Sequence, residues 1–422
     1  MRIDRSYVGS EREPLMTAFG FKGSALTYLL QSSVALYDGS EVGVGVGVQS
    51  VLWSDAKVFA KYGEDRGNAL MLMITEYAVR AIVGKEFDTP IEANEYLIPI
   101  CLNYAREIVS DTVSETFVLN ALVPIDFALW MLYAKQKGID NFDGIMGDGA
   151  RNQRLANIPL ITYNTPTSQI VEKAKAGTPI FKIKIGADPD HDADPNKMLK
   201  FDMARVGEIH NQLREIRTDC TECERIVYYL DANGRYDTKE RLTDLIEFLD
   251  GRGILERTVL FEEPFDEKNE IYVGDLPVSF AADESIHNIA DVKKRIDLGY
   301  TSITLKSIAK TLSFSLKTEK IARAAGVQCF AADLTVNPVM LEWNICFGAR
   351  LRALKGMKIG TVESNGAQNY ASWDKLRSYL PAGSLDPSGA VYTLDDAFYK
   401  SGGIFRVSEH YLNLAKGGKK YE

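Results

Sequence analysis

The chain is poor in several things, and each shortage excludes a class of protein. No apolar run approaches the roughly 18 residues that a membrane span needs, so no span and no membrane partner are expected. Cysteine is scarce: five residues in 422, an odd number at irregular spacing, suit a reducing cytoplasm better than a disulfide framework. Positive charge is in deficit, with 49 Lys and Arg against 58 Asp and Glu, a net charge of −9. That balance argues against broad phosphate binding, and no nucleic-acid partner is expected. The first residues, MRIDRSYVGSEREPLM, scatter their charges and have no apolar core, so they do not read as a secretory signal. A cytoplasmic protein is the expectation.

What is present is an ordinary globular composition, 45% hydrophobic and 25% charged, in a chain longer than one usual domain. Residues 1–155 read as an α+β module. Ser24 to Tyr37 and Glu41 to Ser50 are strand-like runs joined by Asp38-Gly39-Ser40, a hairpin signal. Helical patterns follow over Asp55 to Val83, broken near Gly63 to Gly67, then Ile91 to Ser110 and Glu115 to Lys137. Pro124 inside the last predicts a kink or a helix start. Gly43-Val44-Gly45-Val46-Gly47-Val48 alternates at period two with no lysine-serine helix start after it, so it reads as a strand with one crowded face rather than a phosphate loop.

From about residue 156 the rhythm becomes strand, helix, strand. Pro159 to Tyr163, Ile180 to Ile185, Ile226 to Asp231, Thr258 to Glu262, Val278 to Asp283, Ser302 to Lys306, Val327 to Ala332 and Lys358 to Val362 are the strand-like runs. Helical stretches separate them, the first capped by Ser168. Eight such units predict a (β/α)-barrel, TIM-like, over 156–364. Residues 365–422 have no clear period and are expected to pack back on the first module.

Several strand-like runs stop at a charge. Asp231, Glu262 and Asp283 would sit at neighbouring tips of the barrel and converge. Such carboxylates repel one another, and a hard cation with all-oxygen ligands, Mg²⁺, resolves the repulsion. In Phe181-Lys182-Ile183-Lys184-Ile185, alternation puts Lys182 and Lys184 on one face, which in a closed barrel points into the lumen. A lysine is a poor base at neutral pH, but a second ammonium and a metal beside it make its neutral form accessible. Lys306 ends the sixth run, on the opposite side of the ring, so Lys184 and Lys306 would face one another across a substrate.

KIK, LDANG, FEEP, ADES and TLK, in this order after an α+β module, resemble the enolase superfamily, and within it the muconate lactonizing enzyme subgroup. The resemblance implies a barrel covered by an α+β capping domain, and removal of the proton α to a carboxylate of a small-molecule acid with Mg²⁺. By it, Asp231, Glu262 and Asp283 match the metal ligands, with Glu263, Glu284 and Asn233 in supporting places. Lys184 matches the base on one face, Lys182 its helper and Lys306 the lysine on the other face. Two facing lysines suit a racemase or epimerase of an amino-acid-like or dipeptide-like acid. The same pair serves cycloisomerases and succinylbenzoate-synthase-like dehydratases. Sugar-acid dehydratases use a histidine at the seventh strand end, where this chain has FAADLTVNP, and His191, His210, His287 and His410 read as surface or structural residues. A catalytically silent binding barrel would need a broken ligand or base position, and none is broken.

The chain also departs from the pattern. At the eighth strand end, dipeptide epimerases carry two aspartates that bind the substrate ammonium; here stand Glu363 and Asn365, with Glu363 either holding a cation or bonding a neighbouring loop. Asp333 is a substrate-contact candidate, with helix capping the simpler role for it and for Asn337. Lys310 lies one helical turn beyond Lys306, where a glycine pair is usual. The segment 186–225 is long, and Cys220 and Cys223 within it read as two free thiols. Phe19 to Gly23 and Ser50 to Trp53 would close over the barrel mouth, with Trp53 read as core of the cap. A homo-oligomer is expected.

Overall fold

A computed structural model describes residues 1–21, 24–147, 149–385, 387–401 and 405–422. Three strands open the chain, β1 (Arg5–Phe21), β2 (Ser24–Asp38) and β3 (Glu41–Gln49), in an antiparallel sheet. Asp38 pairs with Glu41, so Gly39 and Ser40 alone make the turn, and Gly39 takes φ 58° there. A two-residue hairpin needs positive φ, which glycine adopts at little cost. β1 is an addition to the expected pair of strands. Its Glu11-Arg12-Glu13-Pro14 interrupts the apolar alternation, and its register with β2 shifts between Pro14 and Phe19.

Helices α1 (Val51–Ser54), α2 (Ala56–Ile82), α3 (Pro90–Ile108) and α4 (Glu115–Lys137) follow. The side chains of Asp55, Thr89 and Ser114 cap the last three. α2 bends at Gly63, whose φ of 71° lies outside the helical region. α4 passes through Pro124 as one helix, where the sequence predicts a kink or a start. The glycine run of β3 packs directly against the backbone of this helix. A Cβ at Gly43, Gly45 or Gly47 would lie 2.0 Å from Ala128 O, 1.9 Å from Pro124 O and 2.6 Å from Pro124 Cδ. The crowded face of the glycine strand is therefore a strand-on-helix seam. α4 also corrects the expectation that no stretch has membrane-span length: by length and composition it qualifies, yet 94% of that stretch is buried inside the fold. It is apolar all round because protein surrounds it.

The second sheet contains β4 (Arg154–Ile158), β5 (Leu160–Ile161), β6 (Ile180–Lys184), β7 (Val227–Asp231), β8 (Thr258–Glu262), β9 (Phe280–Ala282), β10 (Ser302–Leu305), β11 (Gln328–Ala331), β12 (Gly360–Glu363) and β13 (Val391–Thr393). β5 through β12 are paired in chain order, all parallel. β4 pairs with β12 while β5 pairs with β6, and only Pro159 separates β4 from β5, so this segment closes the ring. Helices such as Pro195–Leu213 and Leu312–Ala324 fill the crossovers, giving a (β/α)-barrel with an α+β cap. The first crossover helix, Thr167–Lys175, begins at Pro166 with no side-chain cap, so Ser168 does not play the capping part expected of it. The register Lys184–Asp231–Glu262 puts three strand tips level.

Two contacts lock the layers together. Asp126 of α4 accepts hydrogen bonds from the backbone N–H of Ser313 at 3.0 Å and its hydroxyl at 2.5 Å. Burial pushes the Asp126 carboxyl up to about 6. Past the barrel, β13 pairs with β4, β14 (Lys419–Tyr421) pairs with β1, and the helix Glu409–Lys416 lies over β1 and β2, where Ser33 Oγ donates to Tyr411 O at 2.7 Å.

Candidate active site

The C-terminal strand ends of the barrel meet the cap around a cavity with about 610 Å³ of empty space, part of it open to solvent. Alternation along β6 buries Phe181 and Ile183 against the surrounding helices and turns Lys182 and Lys184 into this cavity. The ammonium of Lys182 lies 3.0 Å from Asp231 Oδ2, 3.1 Å from Glu262 Oε2 and 3.3 Å from Glu363 Oε2. One cation thus ties the tips of β6, β7, β8 and β12. Burial disfavours that charge, but Asp231, Glu262 and Glu363 outweigh it and raise its pKa well above the lysine range.

Lys184 Nζ lies 2.6 Å from the same Asp231 oxygen and donates to Asn233 Oδ1. Two ammoniums therefore share one carboxylate oxygen. Burial alone would raise the Asp231 pKa, and Lys182 with Lys184 brings it below the usual value instead. β10 is four strands on from β6 in the eight-strand ring, counting β4 and β5 as one. From its end, Lys306 reaches Asp283 Oδ2 at 2.5 Å, with Nζ 4.6 Å from the centroid of the Trp53 ring. Burial opposes its charge, and Asp283 reverses the effect and raises the pKa.

Lys310 is buried behind Lys306. It donates to the backbone carbonyl of Asp283 at 2.6 Å and lies 3.6 Å from Asp283 Oδ1. Here burial outweighs Asp283 and lowers the pKa. The spacing of four from Lys306 was the one sequence signal for this residue.

Between the lysines lies an acidic group. Glu262, Asp283 and Glu284 each offer an oxygen, all within 4.8 Å of one another. Glu284 thus joins Glu262 and Asp283, whereas Asp231 turns its Oδ2 to the two lysines. Burial pushes Glu262 up to about 8 against the pull of Lys182, with Asp283 and Glu284 adding repulsion. At Asp283 burial is outweighed by Lys306 and Lys310, which hold the carboxyl below the usual range. Among the described residues, Glu284 Oε2 is buried without a hydrogen-bond donor, and the Asp283 oxygens meet only the ion-paired ammoniums of Lys306 and Lys310. Buried lone pairs of this kind need a partner, and an all-oxygen set fits a hard divalent cation.

Supporting contacts aim these groups. Glu263 points away from the cavity and accepts from Asp283 N at 2.7 Å and Ser285 Oγ at 3.0 Å, fixing the end of β9. Burial, with Glu284 nearby, pushes its carboxyl up to about 7. Asn233 bridges the two sides, receiving Lys184 and donating to Glu284 Oε1 at 2.8 Å. Seven described non-glycine residues have positive φ. Four of them, Asn233 (45°), Glu263 (40°), Thr311 (70°) and Thr335 (56°), follow the ends of β7, β8, β10 and β11. Backbone held in this sparsely populated region, clustered at one mouth, marks a place where aim outranks local comfort.

The remaining rim is polar but internally satisfied. Asp333 accepts from Asn365 N at 2.7 Å and Val336 N at 3.3 Å, and burial pushes it up to about 6, with Glu363 adding to the rise. Asn365 Oδ1 accepts from Thr335 Oγ1 at 2.7 Å. Glu363 pairs with Lys182 of the protein itself. Asp333 lines the cavity, whereas Asn337 does cap a helix, Pro338–Gly348. Trp53, read from sequence as cap core, is buried with the core and also forms a roof over Lys306 and Lys310. The hairpin tip at Lys22 and Gly23 lies outside the described residues, but Leu15, Leu26 and Leu29 of the same hairpin line the cavity. None of the four histidines does. His287 contacts Thr116 and Glu267, His210 bonds Tyr228, His410 pairs with Glu11, and His191 is exposed.

No protein-family model matches the chain, and no curated protein matches it in sequence. Solved structures do match in shape. A member of the enolase superfamily from Listeria innocua superposes with a TM-score of 0.68 at 16% identity, over 100% of this chain and 99% of that one. The fold is that of the enolase superfamily. Within this fold, a dipeptide epimerase from Cytophaga hutchinsonii, solved with Mg and the dipeptide D-Ala-L-Val, matches with a TM-score of 0.70 at 14% identity, covering 100% of this chain and 99% of that one. N-succinyl Arg/Lys racemase from Bacillus cereus ATCC 14579 matches with a TM-score of 0.69 at 15% identity, over 100% of both chains. The solved structures of like fold thus include a racemase and an epimerase.

Proposed function

We propose that the protein is a Mg²⁺-dependent racemase or epimerase that removes and returns the proton α to a carboxylate of an amino-acid-like or dipeptide-like acid. The observation that carries this reading is the pair of lysines, Lys184 and Lys306, on opposite strands of one cavity with the Glu262, Asp283 and Glu284 carboxylates between them. Support comes also from the epimerase and the racemase that share the fold.

Glu262, Asp283 and Glu284, with Asp231 beside them, would hold the cation. When bound, it supplies positive charge that stabilises the negative charge developing on the substrate carboxylate. Lys184 takes the α-proton on one face, and Lys306 delivers a proton on the other. Lys182 stays an ammonium, because three carboxylates surround it. Asn233 aims Lys184, and Trp53 over Lys306 keeps water from that face. Glu363, Asn365 and Asp333 form the rim against which the rest of the acid rests. The five cysteines are all free thiols, four of them buried, which fits a reducing compartment such as the cytoplasm.

A second reading has its own support. Lys306 sits tightly on Asp283 with a raised pKa, as a fixed ammonium would in a cycloisomerase or succinylbenzoate-synthase-like dehydratase, where one lysine serves only as an electrostatic partner. Deuterium exchange separates the two. Pools of N-acyl amino acids and dipeptides are incubated in D₂O with the Mg²⁺-loaded protein. Label at the α-carbon of both stereoisomers is the expected result. Label in one isomer alone favours the second reading, and no label in any acid, with Mg²⁺ shown bound, overturns both.

A further inference from the structure

The lining of the cavity is of two kinds. One holds the lysines and carboxylates. The other is built from Leu15 of β1, Leu26 and Leu29 of β2, Trp53 of α1, Leu160 of β5 and Leu334 beyond β11, and each of these is less than a tenth exposed. Five elements of the chain, three in the cap and two in the barrel, thus bring an apolar side chain to one cavity. We infer that the substrate acid carries a branched or extended apolar side chain that seats against this leucine wall. The inference rests on the proton-abstraction reading only for where the carboxylate goes.

The polar groups along the same cavity sharpen the point. A charged substrate side chain needs an opposite charge that the protein has not already engaged. Lys182 and Lys184 are held by Asp231, and Lys306 by Asp283. On the acidic side, Glu363 is engaged by Lys182, and Asp333 accepts two backbone N–H groups. Asn365 and Thr335 bond each other. A substrate carrying a side-chain carboxylate or ammonium would have to displace one of these pairs. An aliphatic side chain displaces only water from leucine surface, which is favourable in proportion to the apolar area covered.

The size of the expected preference follows from that area. Covering a leucine-sized chain rather than an alanine-sized one strengthens binding by about ten- to a hundredfold. The test uses the full-length, Mg²⁺-loaded protein and titration calorimetry with four probes: N-acetyl-L-leucine, N-acetyl-L-alanine, N-acetyl-L-glutamate and N-acetyl-L-lysine. The leucine derivative is expected to bind at least about tenfold more tightly than each of the others. Leu26→Ala and Leu29→Ala, each checked by circular dichroism, are expected to lower leucine affinity while leaving alanine affinity within about twofold. Equal affinities, tighter binding of the glutamate or lysine derivative, binding of none of the four, or unchanged discrimination in both variants overturns the inference. The same samples, made up in D₂O, keep the two readings apart. A clear leucine preference without deuterium exchange upholds the apolar wall and sinks proton abstraction, whereas exchange on the lysine derivative alone does the reverse.

Discussion

The seam between β3 and α4 and the mouth of the barrel are both buried, and both depend on particular residues, but for opposite reasons. At the seam the side chains are nearly absent: three glycines let a helix backbone approach so closely that a single added carbon would lie about 2 Å from a carbonyl oxygen. At the mouth, three lysines and six carboxylates crowd one cavity, and what matters is which ammonium lies against which oxygen. Space decides the first region and charge the second. A change at the seam should therefore cost folding, and a change at the mouth should cost chemistry.

The largest effect is expected at the seam. Gly45→Val places side-chain carbon where Pro124 O already is, and the helix cannot retreat without leaving the core. A loss of more than about 4 kcal/mol, seen as insoluble expression or a collapsed urea midpoint, is expected. A well-folded G45V would mean that the seam is looser than its distances. At the mouth, Lys184→Ala should lower α-proton exchange by about 10² to 10⁴-fold while the unfolding midpoint stays close to that of the parent, since Lys182 still pairs with Asp231. Full activity in K184A would remove it from the reaction.

Asp126 tests the ground between the regions, because it is a buried charge site on the helix of the seam. Its folded carboxyl titrates at about 6 against an ordinary 3.8, so the folded state favours the protonated form. The stabilisation from this group is complete below about pH 4 and is lost as pH rises to about 6. The stability of the parent minus that of Asp126→Asn should accordingly fall by up to about 3 kcal/mol across that window and stay level above it. Denaturant titrations at pH 4, 5, 6 and 7 measure it, and a flat difference would rule out a protonated Asp126. The smallest effect is at Lys310. Replacing it with Met removes one ammonium that competes for Asp283, so Mg²⁺ should bind several-fold more tightly by calorimetry. Weaker binding would show that Lys310 acts by holding the strand end through the Asp283 carbonyl.

Much of this was legible along the chain because strands and their tips carry local signals. Each barrel strand ends within a few residues of where its β-branched or aromatic run ends, since the run is what the barrel buries. The glycine alternation of β3 was readable as one crowded face, although not what crowds it. β1 was missed because its charges, among them Glu11, Arg12 and the buried Glu13, blur the period of two, and Pro124 signalled a break where α4, buried on nearly all sides, runs on as one helix. Trp53 was read only in part. A tryptophan is apolar enough for any core, and only the fold shows that the atoms beneath it are the ammoniums of Lys306 and Lys310.

The sequence by itself determined that carboxylates and lysines would stand at successive strand tips, because a closed parallel ring brings residues at the ends of its strands to one face whatever the loops do. Tertiary structure decided how those charges are shared: Asp231 with both β6 lysines, Asp283 with Lys306 and Lys310, and Glu284 beside Glu262. It also decided that leucines of the cap and of the barrel line one cavity. Pairing of charges and assembly of a surface depend on distances across the ring of a few ångströms, and residues far apart in the chain carry no local signal of them.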